Sequence, residues 1–263
     1  MTARPARNLT RAIELDALRG LALFMMFGHH LMFDLRYLFA LDVFAWQESW
    51  WFINLMRPFF LTVFLVVSGI SSSFSRSNFK RGWRLLAVAL GFTAATTVAS
   101  VLSHNDFYIL FNVLHLLAVG TLLYAGLSSL RWALSQRAID ATLTLATVVI
   151  LYLGSLMPDL NRLVAGNWLT LPLGILPAGS PGMADYLPLF PWLGFFFAGV
   201  LIGRQVYADR QSALPAPALK STPIQAVLRP FAHLGRNSLL YYVLHQPVLL
   251  AILFGLQAIG WLG

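Results

Sequence analysis

The stretch DALRGLALFMMFGHHLMFDLRYL, residues 16–38, is long and apolar enough to span a membrane, yet it carries six acidic, basic or histidine side chains. Ionisable groups are costly in hydrocarbon, so each needs a partner, a water-filled cavity or a function. Positions four apart and positions eleven apart return to nearly the same face of an α-helix. Arg19, His30 and Asp34 therefore share one stripe, while His29 points about 100° away from His30. This stripe is the predicted core of an active site inside a membrane bundle.

Composition places the chain among integral membrane proteins. Of its 263 residues, 58% are hydrophobic and 11% are charged, whereas a soluble domain has roughly 25% charged residues. No residue is cysteine, which excludes disulfides, thiolate metal sites and a cysteine nucleophile. The net charge of +8 comes from basic residues between apolar stretches, a pattern of membrane topology and not of nucleic-acid binding. The apolar run after residues 1–11 is too long for a cleavable signal peptide, so we expect it to be retained.

Apolar stretches of about 20 residues predict membrane-spanning helices, because a helix satisfies its own backbone hydrogen bonds in lipid. Lysine and arginine are concentrated in every second connection, so these connections and the amino terminus are predicted to be cytoplasmic. A long outer loop is expected at 157–188 and a long cytoplasmic loop at 207–234. The predicted fold class is all-α, a polytopic membrane helix bundle in one domain over residues 1–263. Its seven spans are predicted at 17–38, 50–72, 83–103, 107–129, 138–156, 189–206 and 235–258.

Further polar groups are predicted at a depth similar to that of His30, counted at about 1.5 Å per residue along each helix. Arg57 on the second span and His115 on the fourth lie in the outer half of the bilayer, and His245 on the seventh lies nearer the midplane. Each also has a structural alternative. Arg57 would pair with Asp34 in a buried ion pair. His115 would bond a neighbouring helix, and His245 would meet a carbonyl that the nearby proline leaves free.

Five motifs, in order along most of the chain, resemble the bacterial proteins grouped with the heparan-alpha-glucosaminide N-acetyltransferase catalytic domain. The motifs are ELDALRGLALFMMFGHHLMFDL (14–35), FLTVFLVVSGISSSFS (60–75), FNVLHLLAVGTLLY (111–124), DYLPLFPWLGFFFAGVLIGR (185–204) and LGRNSLLYYVLHQPVLL (234–250). The spacing of eleven from Arg19 to His30 is also similar to the arginine–histidine signature of the wider membrane acyltransferase superfamily.

The resemblance implies an acyltransferase that moves an acetyl group from cytoplasmic acetyl-CoA to a sugar amine or hydroxyl on the outer side of the membrane. His30 is expected to act as general base or to accept the acyl group first. Asp34 would fix the tautomer of His30, and Arg57 or His115 would meet the developing oxyanion. The expected catalytic residues are His30, Asp34, Arg57, His115 and His245.

Acetyl-CoA would enter as co-substrate, and its phosphates suit cationic side chains near the cytoplasmic face. The expected residues for binding it are Arg19, Arg76, Lys80, Arg81, Arg204 and Arg236. The acceptor would enter from outside, past the loop at 157–188. The expected residues for binding it are His29, Asp185, Tyr186, Trp192 and Gln246. No metal is expected.

Two other functions stay open from the residues alone. In a haem-binding or metal-binding bundle, several of the histidines would be ligands, although no two of them are four apart in one helix. In a transporter or flippase of a small or lipid-linked substrate, Asp34 and the histidines would form a proton relay. The expected partners are the lipid bilayer and an extracytoplasmic carbohydrate or lipid-linked acceptor, not nucleic acid, and a homo-oligomer is left open. The expected location is a bacterial inner membrane, crossed several times.

Overall fold

The computed structural model of the protein describes residues 12–104, 106–183, 185–215 and 221–262. Residues 1–11 and Lys220, whose charges entered the predicted topology, lie outside these ranges. Across the described ranges the chain is helical without β-strands, which confirms the predicted all-α membrane bundle. The eight α-helices of these ranges are α1 (Ile13–Phe33), α2 (Arg57–Ser73), α3 (Asn78–Ser103), α4 (Val113–Ser129), α5 (Gln136–Leu163), α6 (Trp192–Gln205), α7 (Thr222–Arg236) and α8 (Ser238–Ala258).

Five of the predicted spans coincide with helices long and apolar enough to cross a membrane, so the protein is a multi-pass membrane protein. These helical stretches are Phe52–Ser73, Asn78–Ser103, Val113–Trp132, Gln136–Leu163 and Ser238–Ala258. Helix α6, with 14 residues, is shorter than the roughly 20 residues that a full crossing needs. Helix α1 also falls outside this set; three charged side chains, Glu14, Asp16 and Arg19, are buried in its first two turns.

The prediction of a loop over 207–234 is wrong in its second half, which forms α7. Pro223 and Pro230 made this segment look irregular, but Pro223 lies in the first turn of the helix, where the missing N–H costs nothing. Apolar residues recur every three or four positions from Ile224 to Leu234, a spacing typical of an amphipathic helix. The connection between α6 and α8 therefore contains an additional helix.

The chain divides into two compact units, Met1–Val67 with Tyr207–Gly263, and Ser68–Val206. In the first unit, α1 and α7 pack with their main chains in contact. A Cβ atom at Gly20 would overlap the carbonyl oxygen of Phe231, and one at Gly235 would overlap the carbonyl oxygen of Asp16. Small residues permit this close approach between membrane helices. The single domain expected over residues 1–263 stays a prediction.

The contacts of α1 also fix the directions of its neighbours in the first unit. Near the start of α1, Arg19 bonds the carbonyl oxygen of Val67, and near its end His29 contacts Phe52, so α2 runs antiparallel to α1. His30 contacts His245, and beyond the end of α1 Phe39 contacts Phe254, so α8 runs parallel to α1. These relative directions agree with the predicted odd number of crossings between α1 and α8.

The second unit contains the C-terminal part of α2 and helices α3 to α6, and its interior is packed through glycines. Gly120 of α4 faces the side chains of Leu193 and Phe196 on α6, where a Cβ atom would lie 2.8–2.9 Å from them. The connection from α5 to α6 is an ordered loop, in which the hydroxyl of Tyr186 donates to the carbonyl of Leu171 at 2.6 Å. Burial raises the pKa of Tyr186 to about 12. This loop is consequently part of the folded unit.

Candidate functional site

Two imidazoles meet between α1 and α8 of the first unit. The ring centroids of His30 and His245 are 5.0 Å apart, with the ring planes inclined by 59°. Phe27, one turn before His30, stacks on His245 at 4.9 Å with an angle of 17°. The sequence placed His30 on α1 and His245 on the last span, and the structure brings the two rings into one cluster.

The carboxyl group of Asp34 lies beside this cluster and is almost fully buried, with 4% of the residue exposed. Its Oδ2 atom accepts a hydrogen bond of 2.9 Å from Nε2 of Gln246 on α8. Among the described residues, His30 makes no hydrogen bond to this carboxyl group, so the structure gives Asp34 a partner on another helix. Asp34 begins a π-helical turn that extends to Leu38, while its main-chain N–H still bonds the carbonyl oxygen of His30, four residues earlier.

The tautomer of His245 follows from its own helix. Nδ1 lies 2.6 Å from the carbonyl oxygen of Tyr242, three residues earlier. Because a carbonyl oxygen only accepts, Nδ1 must carry the hydrogen, and the neutral ring then has its lone pair on Nε2. The structural alternative had this ring meet the carbonyl that Pro247 leaves free, which is that of Val243, four residues before the proline; the carbonyl that it meets is that of Tyr242. The hydrogen bond therefore defines Nε2 as the basic nitrogen of the neutral ring.

Arg57 stands at the first position of α2 and is exposed. Its positive charge acts electrostatically on both His29 and His30, so the guanidinium lies near the imidazoles that the sequence associated with it. The alternative ion pair between Arg57 and Asp34 is not formed in the described part of the chain. A cation close to the two rings fits the expected oxyanion-binding role, which stays a prediction.

His29 connects the imidazoles to a series of aromatic side chains. Its ring centroid is 5.9 Å from that of His30 and 5.6 Å from that of Phe52. Phe52 in turn lies 5.0 Å from Trp46, which stacks on Trp51 at 5.7 Å. The Nδ1 atom of His29 is buried and has no hydrogen-bond partner among the described residues. A polar atom of this kind is available to a ligand.

Arg19, by contrast, bonds neighbouring helices within the first unit. Its guanidinium donates to the carbonyl oxygen of Gly235 on α7 at 3.2 Å and to that of Val67 on α2 at 3.4 Å. It also lies 3.6 Å from the carboxylate of Asp16, which Arg236 approaches to 3.4 Å. Arg19 thus joins three helices, and the phosphate-binding roles of Arg19 and Arg236 stay predictions.

His115 belongs to the second unit, where the fold uses both of its ring nitrogens. Nδ1 accepts a hydrogen bond of 3.2 Å from the main-chain N–H of Asn112, completing a capping box at the start of α4. Nε2 lies 3.3 Å from the hydroxyl of Thr93 on α3, and 5% of the residue is exposed. This is the geometry of a helix cap. Both ring nitrogens of His115 thus have partners in the fold, and its expected catalytic role stays a prediction.

The remaining predicted residues are also in the second unit and lie in different places. Arg204, at the end of α6, pairs with Asp140 and donates to Gln136 at 2.8 Å. Asp185 is exposed and has a left-handed backbone with φ of 57°. Around the connection from α2 to α3, Arg76 and Lys80 are exposed and Arg81 is half-buried, whereas Tyr186 and Trp192 are half-buried near the start of α6.

Two contacts were not predicted from the sequence. Glu14 accepts from the hydroxyl of Ser212 at 2.7 Å and from the N–H of Ala213 at 2.8 Å, fastening the chain after α6 to the start of α1. The Tyr242 carbonyl was missed as the partner of His245, although its place one turn earlier in a helix was a usable signal. No group of three or more His, Asp or Glu residues in the described ranges is arranged to hold a metal ion.

Fold and site together define a multi-pass membrane protein with half-buried imidazoles in contact between its helices, an arrangement suited to group transfer within the membrane. The family model described as heparan-alpha-glucosaminide N-acetyltransferase, catalytic, matches residues 11–247. The chain belongs to this family, and the family places it among membrane acetyltransferases. Neither a curated protein nor a solved structure matches the chain.

Proposed function

We propose that the protein transfers an acetyl group from acetyl-CoA at the cytoplasmic face to a sugar amine or hydroxyl on the other side of a bacterial inner membrane. The observation that carries the proposal is the contact of His30 with His245 between two helices of a membrane bundle. Imidazole is the side chain best suited to exchange a proton near neutral pH. It is also a nucleophile that can hold an acyl group between donor and acceptor.

In the proposed reaction, the bond between the thioester carbonyl carbon and sulfur breaks, and a bond from that carbon to the acceptor nitrogen or oxygen forms. The acceptor loses a proton, and the thiolate of CoA gains one. His30 either accepts the acyl group first or takes the acceptor proton directly. Arg57 supports both routes, because its charge acts at the ring of His30 and would stabilise negative charge on the carbonyl oxygen.

The two substrates would approach the imidazoles from opposite faces of the membrane. The series His29, Phe52, Trp46 and Trp51 leads from the imidazoles to the connection between α1 and α2, and exposed tryptophans are typical of a membrane–water interface. The acceptor, a carbohydrate or a lipid-linked group, would enter along this series. The phosphates of CoA would bind cationic side chains at the cytoplasmic face.

The test uses the full chain in lipid nanodiscs, with acetyl-CoA labelled in its acetyl group and glucosamine as the acceptor probe. We expect labelled N-acetylglucosamine from the wild type and none above background from His30→Ala. His104→Asn is the matched control, since His104 is exposed and has a left-handed backbone with φ of 54° that asparagine also adopts. Full activity of His30→Ala would reject the role. Movement of labelled glucosamine without a covalent product would support a transporter instead.

Binding of the donor is tested separately by its effect on stability. A ligand that binds only the native state raises the melting temperature. We expect acetyl-CoA to raise it for the wild type and for His30→Ala alike, because His30 acts on the thioester and not on the phosphates. A melting temperature insensitive to acetyl-CoA up to millimolar concentrations would contradict acetyl-CoA as the donor.

A further inference from the structure

We propose that His245 is the proton acceptor of the reaction, working beside His30 as a second reacting imidazole. The inference rests on the proposed acetyl transfer and assigns one of its steps to a particular atom, Nε2 of His245. Three features of the first unit support it: the hydrogen bond that fixes the tautomer of His245, the packing that fixes its ring, and the contact of that ring with His30.

The first feature decides which nitrogen is basic. The 2.6 Å contact of Nδ1 with the Tyr242 carbonyl oxygen is internal to α8, and Tyr242 is itself buried, with 4% exposure. A general base needs its lone pair on the nitrogen that faces the substrate and its hydrogen held elsewhere. A carbonyl acceptor for Nδ1–H meets the second requirement and sets the neutral ring as a proton acceptor at Nε2.

The second feature is the restraint on the ring. Phe27 stacks on one face of His245 at 4.9 Å, and Tyr242 lies at 5.6 Å. The next residue along α8, Gln246, is held to Asp34 of α1. The ring of His245 is therefore positioned by contacts with both α1 and its own helix, and such preorganisation is what a catalytic group requires.

The third feature is the pairing with His30, whose ring centroid is 5.0 Å from that of His245. Among the described residues, His30 makes no hydrogen bond that would fix its tautomer. The tautomer of His245 is fixed, so the two imidazoles are suited to different roles. His245 is held as a base, while the positive charge of Arg57, which is suited to a developing oxyanion, acts at the ring of His30. This difference favours His30 as the acyl carrier and His245 as the base.

The rings of His30 and His245 can carry every proton that the reaction moves. A His30 nitrogen attacks the thioester carbonyl carbon, the carbon–sulfur bond breaks, and the imidazole proton passes through Nε2 of His245 to the departing thiolate. The acceptor then attacks the acyl carbon, and the bond between the acyl carbon and the His30 nitrogen breaks. Nε2 of His245 takes the acceptor proton and returns it to His30. No oxidant or further reactant is needed.

The decisive variant is His245→Asn, whose amide N–H replaces Nδ1–H as donor to the Tyr242 carbonyl but offers no basic nitrogen. We expect a melting temperature close to that of the wild type and transfer from acetyl-CoA to glucosamine slowed by about 100-fold or more. His104→Asn, the same substitution at an exposed histidine, should transfer at the wild-type rate. A His245→Asn variant that folds and transfers at the wild-type rate would show that the ring has only a structural role.

A second measurement needs no folded variant. The ¹⁵N chemical shifts of histidine-labelled wild-type protein in nanodiscs report which nitrogen is protonated, and we expect Nδ1–H with unprotonated Nε2 for His245. A neutral Nε2–H form would overturn the inference whatever the variants do. Wild-type protein that neither acetylates glucosamine nor releases CoA would contradict the proposed function itself, whereas wild-type activity retained in His245→Asn contradicts only the assignment of the base.

Discussion

Asp34 at the end of α1 and Gln246 in the middle of α8 are joined by a hydrogen bond of 2.9 Å, although 212 positions separate them in the chain. The bond ties the end of α1 to α8 beside the two imidazoles. It also supplies the buried carboxyl group with a donor, without which its burial would be costly. Stability and site geometry therefore depend on the same pair.

We expect Gln246→Ala to destabilise the protein by about 1–3 kcal/mol, because it leaves the Asp34 carboxyl group buried without its donor. The double variant with Asp34→Ala should lose much less than the sum of the two single variants, since residues in direct contact are not additive. Unfolding in detergent with denaturant measures all three. Additive losses would show that the two side chains do not interact.

Gly20→Ala should destabilise the protein by about 1–3 kcal/mol, the usual range for overpacking. Its methyl group would overlap the main chain of Phe231, and main chain cannot move aside as a flexible side chain does. Gly28→Ala, in the same helix, is the matched control. No atom lies within 4 Å of a Cβ at Gly28, so alanine should stabilise the helix by up to about 1 kcal/mol. Equal melting temperatures for the two variants would contradict the close contact of α1 with α7.

Arg19→Lys separates a structural role from a phosphate-binding role. Lysine keeps the charge but not the planar group that reaches the carbonyl oxygens of Gly235 and Val67. We expect a loss of about 1–3 kcal/mol in stability, with the rise in melting temperature caused by acetyl-CoA unchanged. The opposite result, unchanged stability with a weakened response to acetyl-CoA, would restore Arg19 as a phosphate ligand.

Glu48, in the connection between α1 and α2, should make stability depend on acidity. Hydrogen bonds from Tyr37 and then from Arg36 lower the pKa of Glu48 below its ordinary value of 4.5. Because the folded-state pKa is depressed, the stabilisation is complete above that ordinary value and is lost as the pH falls through the folded-state pKa. The group is exposed, so salt should weaken the effect.

The measurement for Glu48 compares the melting temperatures of the wild type and Glu48→Gln between pH 7 and pH 3 at low salt. The wild type should be the more stable of the two at pH 7, and the difference should shrink toward pH 3. A difference that is constant over this range would mean that the carboxylate does not contribute through its charge.

Local sequence patterns predicted the helices and the placement of His30 and His245 well, because apolar length and helical spacing are properties of one segment at a time. The same patterns missed α7, since Pro223 lies where a helix begins and not where one breaks. They also paired Asp34 with His30, one turn earlier in the helix, whereas its carboxyl group bonds Gln246 of another helix.

Partners that come from distant segments were beyond the reach of sequence patterns. The donor for Asp34 is on α8, and the hydroxyl beside Nε2 of His115 comes from Thr93 on α3. Arg19 looked like a phosphate ligand near the cytoplasmic end of α1, and only the packing of α2 and α7 around it shows the carbonyl oxygens that it bonds.

The bonds from Arg19 to α2 and α7 end on peptide oxygens, which every amino acid supplies. Mutations at Val67 that preserve the helical main chain will not remove that acceptor. The side chain at position 67 can therefore change while the hydrogen bond from Arg19 is kept. The guanidinium at position 19, by contrast, can be supplied only by arginine. In a collection of natural variants, position 19 should accordingly remain arginine while its α2 partner position varies.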